Sequence, residues 1–444
     1  MDAASNSAKS QIRRTQTRIL ALMVALSAMS YFDRTISSIA GPGIMKEFNI
    51  SATQMGSVFS AFLLTYMLCM IPGGGLCDRY GARRVLGIAG FGTAVFTGLI
   101  AFCGRHSLGP FVGILTSFVA AHAALGAASA PVYPACGKVA LNWFSSTNQG
   151  RVQALIQAGA AIGAATSPML FSWLIAHYGW RVSFGIAAVF TALLFSFWSW
   201  YVRDYPSQHP AIGQQAAIAL LSTAGGVAEP KRSSIQWGRL LADKNLMLLT
   251  FGYFMLNYFE YIFFYWVYYY FGEVLHVEAR QSALATTALF ITMGIMSPLG
   301  GWLSDLCVVK YGQGGGRRVV PIIAMTVSAI LLYVGAASMG FLVKVLLLSL
   351  ALGFATAAEG PFWAVTVEIS GSQAGTAGAV LNTGGNLGGM LAPILTPLIA
   401  AKYGWTGGLY FGSLMVLPGV VAWFFIEPNS AIRDFSELDV TGGV

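Results

Sequence analysis

Asp33 and Arg34 stand side by side in "SAMSYFDRTISSIAG" (Ser27 to Gly41), inside a run that is otherwise apolar or weakly polar. A guanidinium presents a fixed fork of donors suited to an oxyanion, and a carboxyl can take up and release a proton. Consecutive side chains leave a helix about 100° apart. The two residues therefore cannot form the usual i to i+4 ion pair, and each must look to different neighbours. Three further ionisable residues fall within apolar runs, His122, Glu260 and Glu359, with Lys138 and Glu368 nearer the ends of theirs. An ionised side chain at the middle of a spanning helix costs roughly 2.5 to 3.5 kcal/mol. Four such charges left unpaired would cost about 10 kcal/mol, as much as a typical domain is stable. Pairing, a wet cavity or protonation must relieve that cost, and each is of use in moving a solute across a membrane.

The elements that hold these residues are apolar throughout. The chain has 444 residues, 56% hydrophobic and 9% charged, against about 25% charged for a soluble protein. Runs of about 20 residues, long enough for a bilayer core of about 30 Å, recur twelve times. They cover 18–44, 53–75, 82–103, 108–142, 147–175, 180–202, 245–271, 281–306, 318–340, 343–369, 372–401 and 405–426, here spans 1 to 12. This predicts an all-α membrane protein with a polar, basic N-terminal segment 1–17. That segment lacks a signal-peptide cleavage pattern and reads as cytoplasmic. Lys and Arg total 25 for a net charge of +8, and they concentrate in the loops that share the N-terminal side. The positive-inside rule then places both termini in the cytoplasm, at the cell membrane. The bias also accounts for the net charge, so nucleic acid is not implied as a partner. Five cysteines without a CxxC suggest neither disulfide nor metal. No GxxxxGK[ST] loop is present, so ATP hydrolysis is not expected. No enzyme activity and no cofactor are indicated.

The polar stretch 203–244 separates the spans six and six, giving an N-terminal bundle 18–202, a cytoplasmic linker with a short surface helix near 211–223, a C-terminal bundle 245–426 and a tail 427–444. The halves repeat. "SPML" with "HYGW" (Ser167 to Trp180) recurs as "APIL" with "KYGW" (Ala392 to Trp405). Gly159 and Gly163 correspond to Gly384 and Gly388, a GxxxG spacing that lets helix backbones approach closely. "GGLCDRYGARR" (Gly74 to Arg84) has a weaker counterpart in "GWLSDLCVVKYGQGGGRR" (Gly301 to Arg318). Two pseudo-symmetric six-span bundles with a site at mid-membrane are what secondary carriers look like.

"GGLCDRYGARR" resembles the loop signature between spans 2 and 3 of the major facilitator superfamily. The runs from "YFDRTISSIAG" through "IPGGGLCDRYGARRVL", with "APVYPACGKVALNWF", resemble its anion:cation symporter branch, which includes hexuronate and galactonate carriers and the vesicular glutamate and sialic acid carriers. The resemblance implies the major facilitator fold, Arg34 as anion anchor and Asp33 as proton-coupling site. It also implies that Tyr66 and Asn386 occupy positions that often contact substrate. The sequence departs from the branch elsewhere. The span 4 arginine and glutamate of that branch correspond to His122 and Ser129. The span 7 arginine would fall near Leu256, with Glu260 one turn on. His122 is either a neutral hydrogen-bonding residue or a group titrating at about pH 6 to 7 that senses substrate or proton, and it is counted among the candidate substrate-binding residues. Glu260, flanked at helical spacing by Asn257 and Tyr261, is expected in the cavity as a second proton site or an acceptor. Glu359 in "EGPF" is the counterpart of Ser129 in "SAPV" and is a candidate for the relocated acid. Asp78, with Arg79 and Arg83, is expected to gate the cytoplasmic side by meeting a helix N-terminus of the other half, and Asp305 to do so more weakly.

Together these readings predict a monomeric secondary transporter that moves a small organic anion, a sugar acid or other carboxylate, in symport with protons by alternating access. An exchanger or uniporter of the same fold is one alternative. A proton-coupled drug or cation antiporter is another, although "GAAIGAATSP" on span 5 lacks the GPxxGG pattern. A non-transporting receptor is the third.

Overall fold

The computed structural model describes residues 2–104, 113–145, 148–212 and 237–430, and these are almost wholly helical. Among them nine helical stretches are long and apolar enough to cross a membrane. Three are far longer than one crossing needs: Arg151–Tyr201, Ala279–Ala337 and Ala374–Phe425, of 51, 59 and 52 residues. Each is broken at a glycine with positive φ, Gly179 (77°), Gly312 (75°) and Gly404 (73°). Divided there, the chain has the twelve spans that the hydropathy pattern predicts.

Gly81 (φ 88°) makes the same kind of turn between the helices Ala52–Tyr80 and Ala82–Ile100. All four glycines follow a tyrosine: Tyr80, Tyr178, Tyr311 and Tyr403. A Cβ on Gly179 or Gly404 would meet nothing within 4 Å. The requirement there is the backbone conformation itself, which costs another residue roughly 1 to 3 kcal/mol. Gly404→Ala is therefore expected to lower the apparent melting temperature of the purified protein. Gly185→Ala, equally free of neighbours but helical, should be neutral or slightly stabilising. Equal melting temperatures for the two variants would refute the conformational argument.

Spans 4 and 10 are each interrupted. Span 4 runs Ile114–Ser129 and resumes as Val132–Trp143, and span 10 runs Phe341–Ala357 and resumes as Glu359–Ser370. Pro131 and Pro361 stand at the two interruptions, in "SAPV" and "EGPF". Proline lacks an N–H and crowds the preceding turn, so the helix restarts there. Glu359 is thereby placed in the first turn of a new helical segment.

The chain forms two compact units. The first contains the described residues up to Ile212 with Ile262–Gly294 and Pro393–Trp405. Within it the span 5 glycines Gly159 and Gly163 lie so close to the carbonyl oxygens of Val24 and Ala28 on span 1 that a Cβ would clash. Met23, Leu26, Cys136, Trp143, Ile156 and Trp198 close the core beside this crossing. The aromatic run of span 7 packs here too. Phe59 stacks on Tyr265 with centroids 4.9 Å apart, and Trp266 Nε1 donates to the Pro393 carbonyl at 3.2 Å. The start of the linker is tied down by Trp143 Nε1, which donates to Arg203 O at 2.8 Å, and by Asn142, which donates to Asp204 O at 3.0 Å. Beyond Ile212 the expected surface helix lies outside the described residues, as does the tail from 431.

The second unit contains the described part of Ser233–Tyr261, Ile295–Ala392 and the residues from Thr406 to 430. Its GxxxG behaves as the first one does. Gly384 and Gly388 on span 11 approach Thr250 and the Phe254 carbonyl on span 7 closer than a Cβ permits. The spacing read from sequence thus serves one purpose in both units, holding the fifth span of a half against its first. Large apolar side chains such as Ile88, Phe190, Trp200, Leu342 and Phe424 project from the helices, the surface a chain offers to hydrocarbon.

Candidate functional site

In the first unit the 100° between Asp33 and Arg34 is realised as two separate environments. Asp33 is 1% exposed, and both its carboxylate oxygens accept from Thr191 Oγ1 on span 6, at 3.3 and 3.2 Å. Among the described residues it makes no ion pair. Arg34 turns instead toward span 2. Its guanidinium lies 5.2 Å from the ring centroid of Tyr31, 5.4 Å from Phe62 and 4.9 Å from Tyr66. Aromatic faces attract a guanidinium electrostatically, more so where water is excluded. Tyr133 on span 4, hydrogen-bonded to Ser27 at 3.0 Å, is within electrostatic reach of Arg34, Tyr31 and Tyr66. One cation thus sits among three phenols from spans 1, 2 and 4. Tyr31 and Thr191 escape a reading of the sequence. Tyr31 lies one turn before Arg34, which could have flagged it, whereas Thr191 is on another helix and had no signal.

His122 is buried, and the protein engages both of its nitrogens. Nδ1 lies 2.9 Å from the Phe118 carbonyl and Nε2 lies 3.0 Å from Ser37 Oγ. The carbonyl can only accept, so Nδ1 carries the hydrogen, and in the neutral ring Nε2 accepts from the serine. The residue fastens span 4 to span 1 one turn beyond Asp33.

In the second unit Glu260 is 3% exposed and lies against Glu359, so the structure joins two acids that sequence alone leaves as alternatives. Tyr253, two turns before Glu260, bears electrostatically on both acids, and its hydroxyl accepts from Trp363 Nε1 at 3.3 Å. Asn257 Nδ2 donates to the Tyr253 carbonyl at 2.9 Å. Room for these side chains comes from span 11. A Cβ on Gly385 would lie 2.7 Å from the Tyr253 ring and 3.0 Å from Asn257 Nδ2, and one on Gly389 3.0 Å from the Tyr261 ring. Asn386 donates to the Asn382 carbonyl of its own helix at 2.8 Å. Tyr253 and Trp363 are the residues here that sequence reading passes over.

The expected gating residues have their own partners. Asp78 accepts from Lys138 Nζ at 2.8 Å, joining the ends of spans 2 and 4. Arg79 lies over the Tyr80 ring at 5.2 Å. Arg83 donates twice to the Ser199 carbonyl, at 2.8 and 2.6 Å, while its backbone N–H donates to Asp204 Oδ1 at 2.9 Å, which ties span 3 to the end of span 6. In the second unit Arg317 bridges Asp305 and Glu368, each at 2.6 Å, joining the turn after span 8 to span 10.

Twelve apolar spans with an acid and an arginine buried on span 1 and adjacent acids on spans 7 and 10 define a multi-pass membrane transporter rather than an enzyme. The chain belongs to the Major Facilitator Superfamily, whose profile matches residues 23–285 and 249–440. It is 27% identical over 427 residues to the "Probable sulfoacetate transporter" of Cupriavidus necator, covering 94% of both chains. It is 26% identical over 416 residues to the "Hexuronate transporter" of Bacillus subtilis, covering 92% of this chain and 94% of that one. To the "D-galactonate transporter" of Escherichia coli it is 27% identical over 442 residues, covering 96% and 98%. Two solved transporters share the fold. A bacterial homolog of the human lysosomal transporter Spinster aligns with TM-score 0.74 at 14% identity over 93% of this chain and 97% of its own. The xylose transporter XylE of Escherichia coli aligns with TM-score 0.70 at 17% identity over 95% and 99%.

Proposed function

We propose that the protein carries a small organic anion, a sugar acid or a related carboxylate, together with protons, by alternating access in the cell membrane. The observation that carries this reading is the buried guanidinium of Arg34 among Tyr31, Tyr66 and Tyr133. An arginine fork flanked by phenols offers several donors to one oxyanion and aromatic faces to its carbon skeleton. The relatives named above support the class, since hexuronate, galactonate and sulfoacetate are all organic anions. Asp33 would supply the coupling, because a buried carboxyl whose partner is one hydroxyl changes its charge only by gaining or losing a proton. Glu260 or Glu359 would join it.

On this reading the protein works as a monomer with both termini in the cytoplasm. Tyr66, Asn257, Tyr261 and Asn386 contribute to substrate contact, with His122 holding span 4 behind them. Asp78 and Arg79, and more weakly Asp305, would gate the cytoplasmic side through contacts with the other half that form and part as access alternates, while Arg83 keeps spans 3 and 6 together. The test is uptake of labelled galactonate, glucuronate and sulfoacetate into proteoliposomes with and without an inward proton gradient. Accumulation of at least one of them that depends on the gradient is expected. Uptake indifferent to pH gradient and membrane potential would instead make the protein an exchanger or uniporter, and transport of cations alone would make it an antiporter.

A further inference from the structure

The acids of the second unit differ in ways that their pairing conceals. Two carboxylates have only acceptors to offer each other and repel, so a pair of acids this close, with no cation acting on it, holds at least one proton. Glu260 is the more enclosed, and its Oε1 has no hydrogen-bond partner among the described residues. An unpartnered buried oxygen is tolerable on a neutral acid and far more costly on a carboxylate. Glu359 is half-buried rather than buried. It also stands in the first turn of the segment Glu359–Ser370, where the helix dipole favours a negative charge. The other groups facing the pair are Tyr253 on span 7 and, bonded to Tyr253, Asn257 and Trp363. Among the described residues no lysine, arginine or histidine acts on either acid.

We propose that the pair is asymmetric: Glu260 keeps its proton and donates it as a hydrogen bond, while Glu359 is the carboxylate that takes up and releases the transported proton. In the exchange step an O–H bond forms on Glu359 as hydronium gives up its proton to become water. The pair passes from one negative charge to none, and the reverse step restores it. Glu260 is a positioning residue: it holds Glu359 in place and shares its charge, and it does not exchange. This deepens the proton-coupled reading above by assigning the second site to one acid.

The asymmetry makes the two amide variants behave differently. In Glu260→Gln the amide NH2 still donates to Glu359, so proton-driven uptake of galactonate or glucuronate into proteoliposomes should be retained. In Glu359→Gln accumulation should be lost while counterflow, which needs no net proton movement, continues. Infrared difference spectra of the purified protein in an Asp33→Asn background give a readout independent of transport. The carbonyl band of a neutral carboxylic acid at neutral pH should vanish in Glu260→Gln and persist in Glu359→Gln. Loss of coupling in Glu260→Gln with retention in Glu359→Gln, or a band that vanishes only in Glu359→Gln, would reverse the assignment and overturn the proposal. Stabilisation by sodium that disappears in Glu359→Gln would overturn it too, since the acids would then hold a metal cation. If the wild type shows no proton coupling but the infrared asymmetry is present, the pair stands and the symport reading falls.

Discussion

Arg34→Ala is expected to weaken binding of the organic anion by roughly 10²- to 10⁴-fold, since each hydrogen bond from a charged donor contributes about 1.5 to 3 kcal/mol and a guanidinium makes two to one carboxylate. The substitution also removes the group enclosed by Tyr31, Phe62 and Tyr66. Some stability should be lost with it, so binding and melting temperature must be measured together. Arg34→Lys separates the contributions. A lysine keeps the charge and much of the cation–π attraction but has no planar fork, so its affinity should fall between alanine and wild type. Calorimetric titration with galactonate or glucuronate decides the matter. Affinity undiminished in a folded Arg34→Ala protein would move the anchor elsewhere and leave the aromatic enclosure as a structural device.

Asp33→Asn is expected to abolish accumulation against a gradient while leaving substrate exchange largely intact. An asparagine is isosteric and its amide oxygen can still accept from Thr191 Oγ1, which reaches both carboxylate oxygens in the wild type at 3.3 and 3.2 Å. Folding and anion contact at Arg34 should therefore survive, because the two side chains serve different neighbours. The substitution removes the capacity to carry a proton, and with it the link between the proton gradient and the anion. Proteoliposomes loaded for counterflow and, separately, energised with a pH gradient measure the two activities. Concentrative uptake persisting in Asp33→Asn would assign coupling to the second unit alone.

The architecture is legible because its signals are local. Runs of about 20 apolar residues and the two GxxxG spacings each lie within a few turns of helix, and in the structure each performs the role its spacing implies. The divergence of Asp33 and Arg34 is legible for the same reason, since it follows from helix geometry. What each side chain meets is not. Thr191 opposite Asp33, Ser37 opposite His122 and Ser199 opposite Arg83 come from helices distant in sequence, and no periodicity links them. Glu260 and Glu359 show this most clearly: as residues of spans 7 and 10 they read as two candidates for one task, and in three dimensions they form one group. Arg317 was likewise only a basic loop residue in the sequence, and it is the bridge between Asp305 and Glu368.

The four Tyr-Gly turns have a bearing on how such a protein can change its cargo. They join spans 2 to 3, 5 to 6, 8 to 9 and 11 to 12, so that each half consists of two sets of one helix followed by a tight hairpin. The leading helix of every set, span 1, 4, 7 or 10, carries most of the residues singled out above: Asp33 and Arg34, His122 and Tyr133, Glu260 and Tyr253, Glu359 and Trp363, while Tyr66 and Asn386 lie on spans 2 and 11. Recognition and scaffolding are thus written largely on different helices. Substitutions that retune a new solute can accumulate on the four leading helices, and the hairpin turns, each fixed by a glycine whose positive φ strains any other residue, tolerate few. A single ancestral unit of three helices, copied four times, would inherit both properties at once.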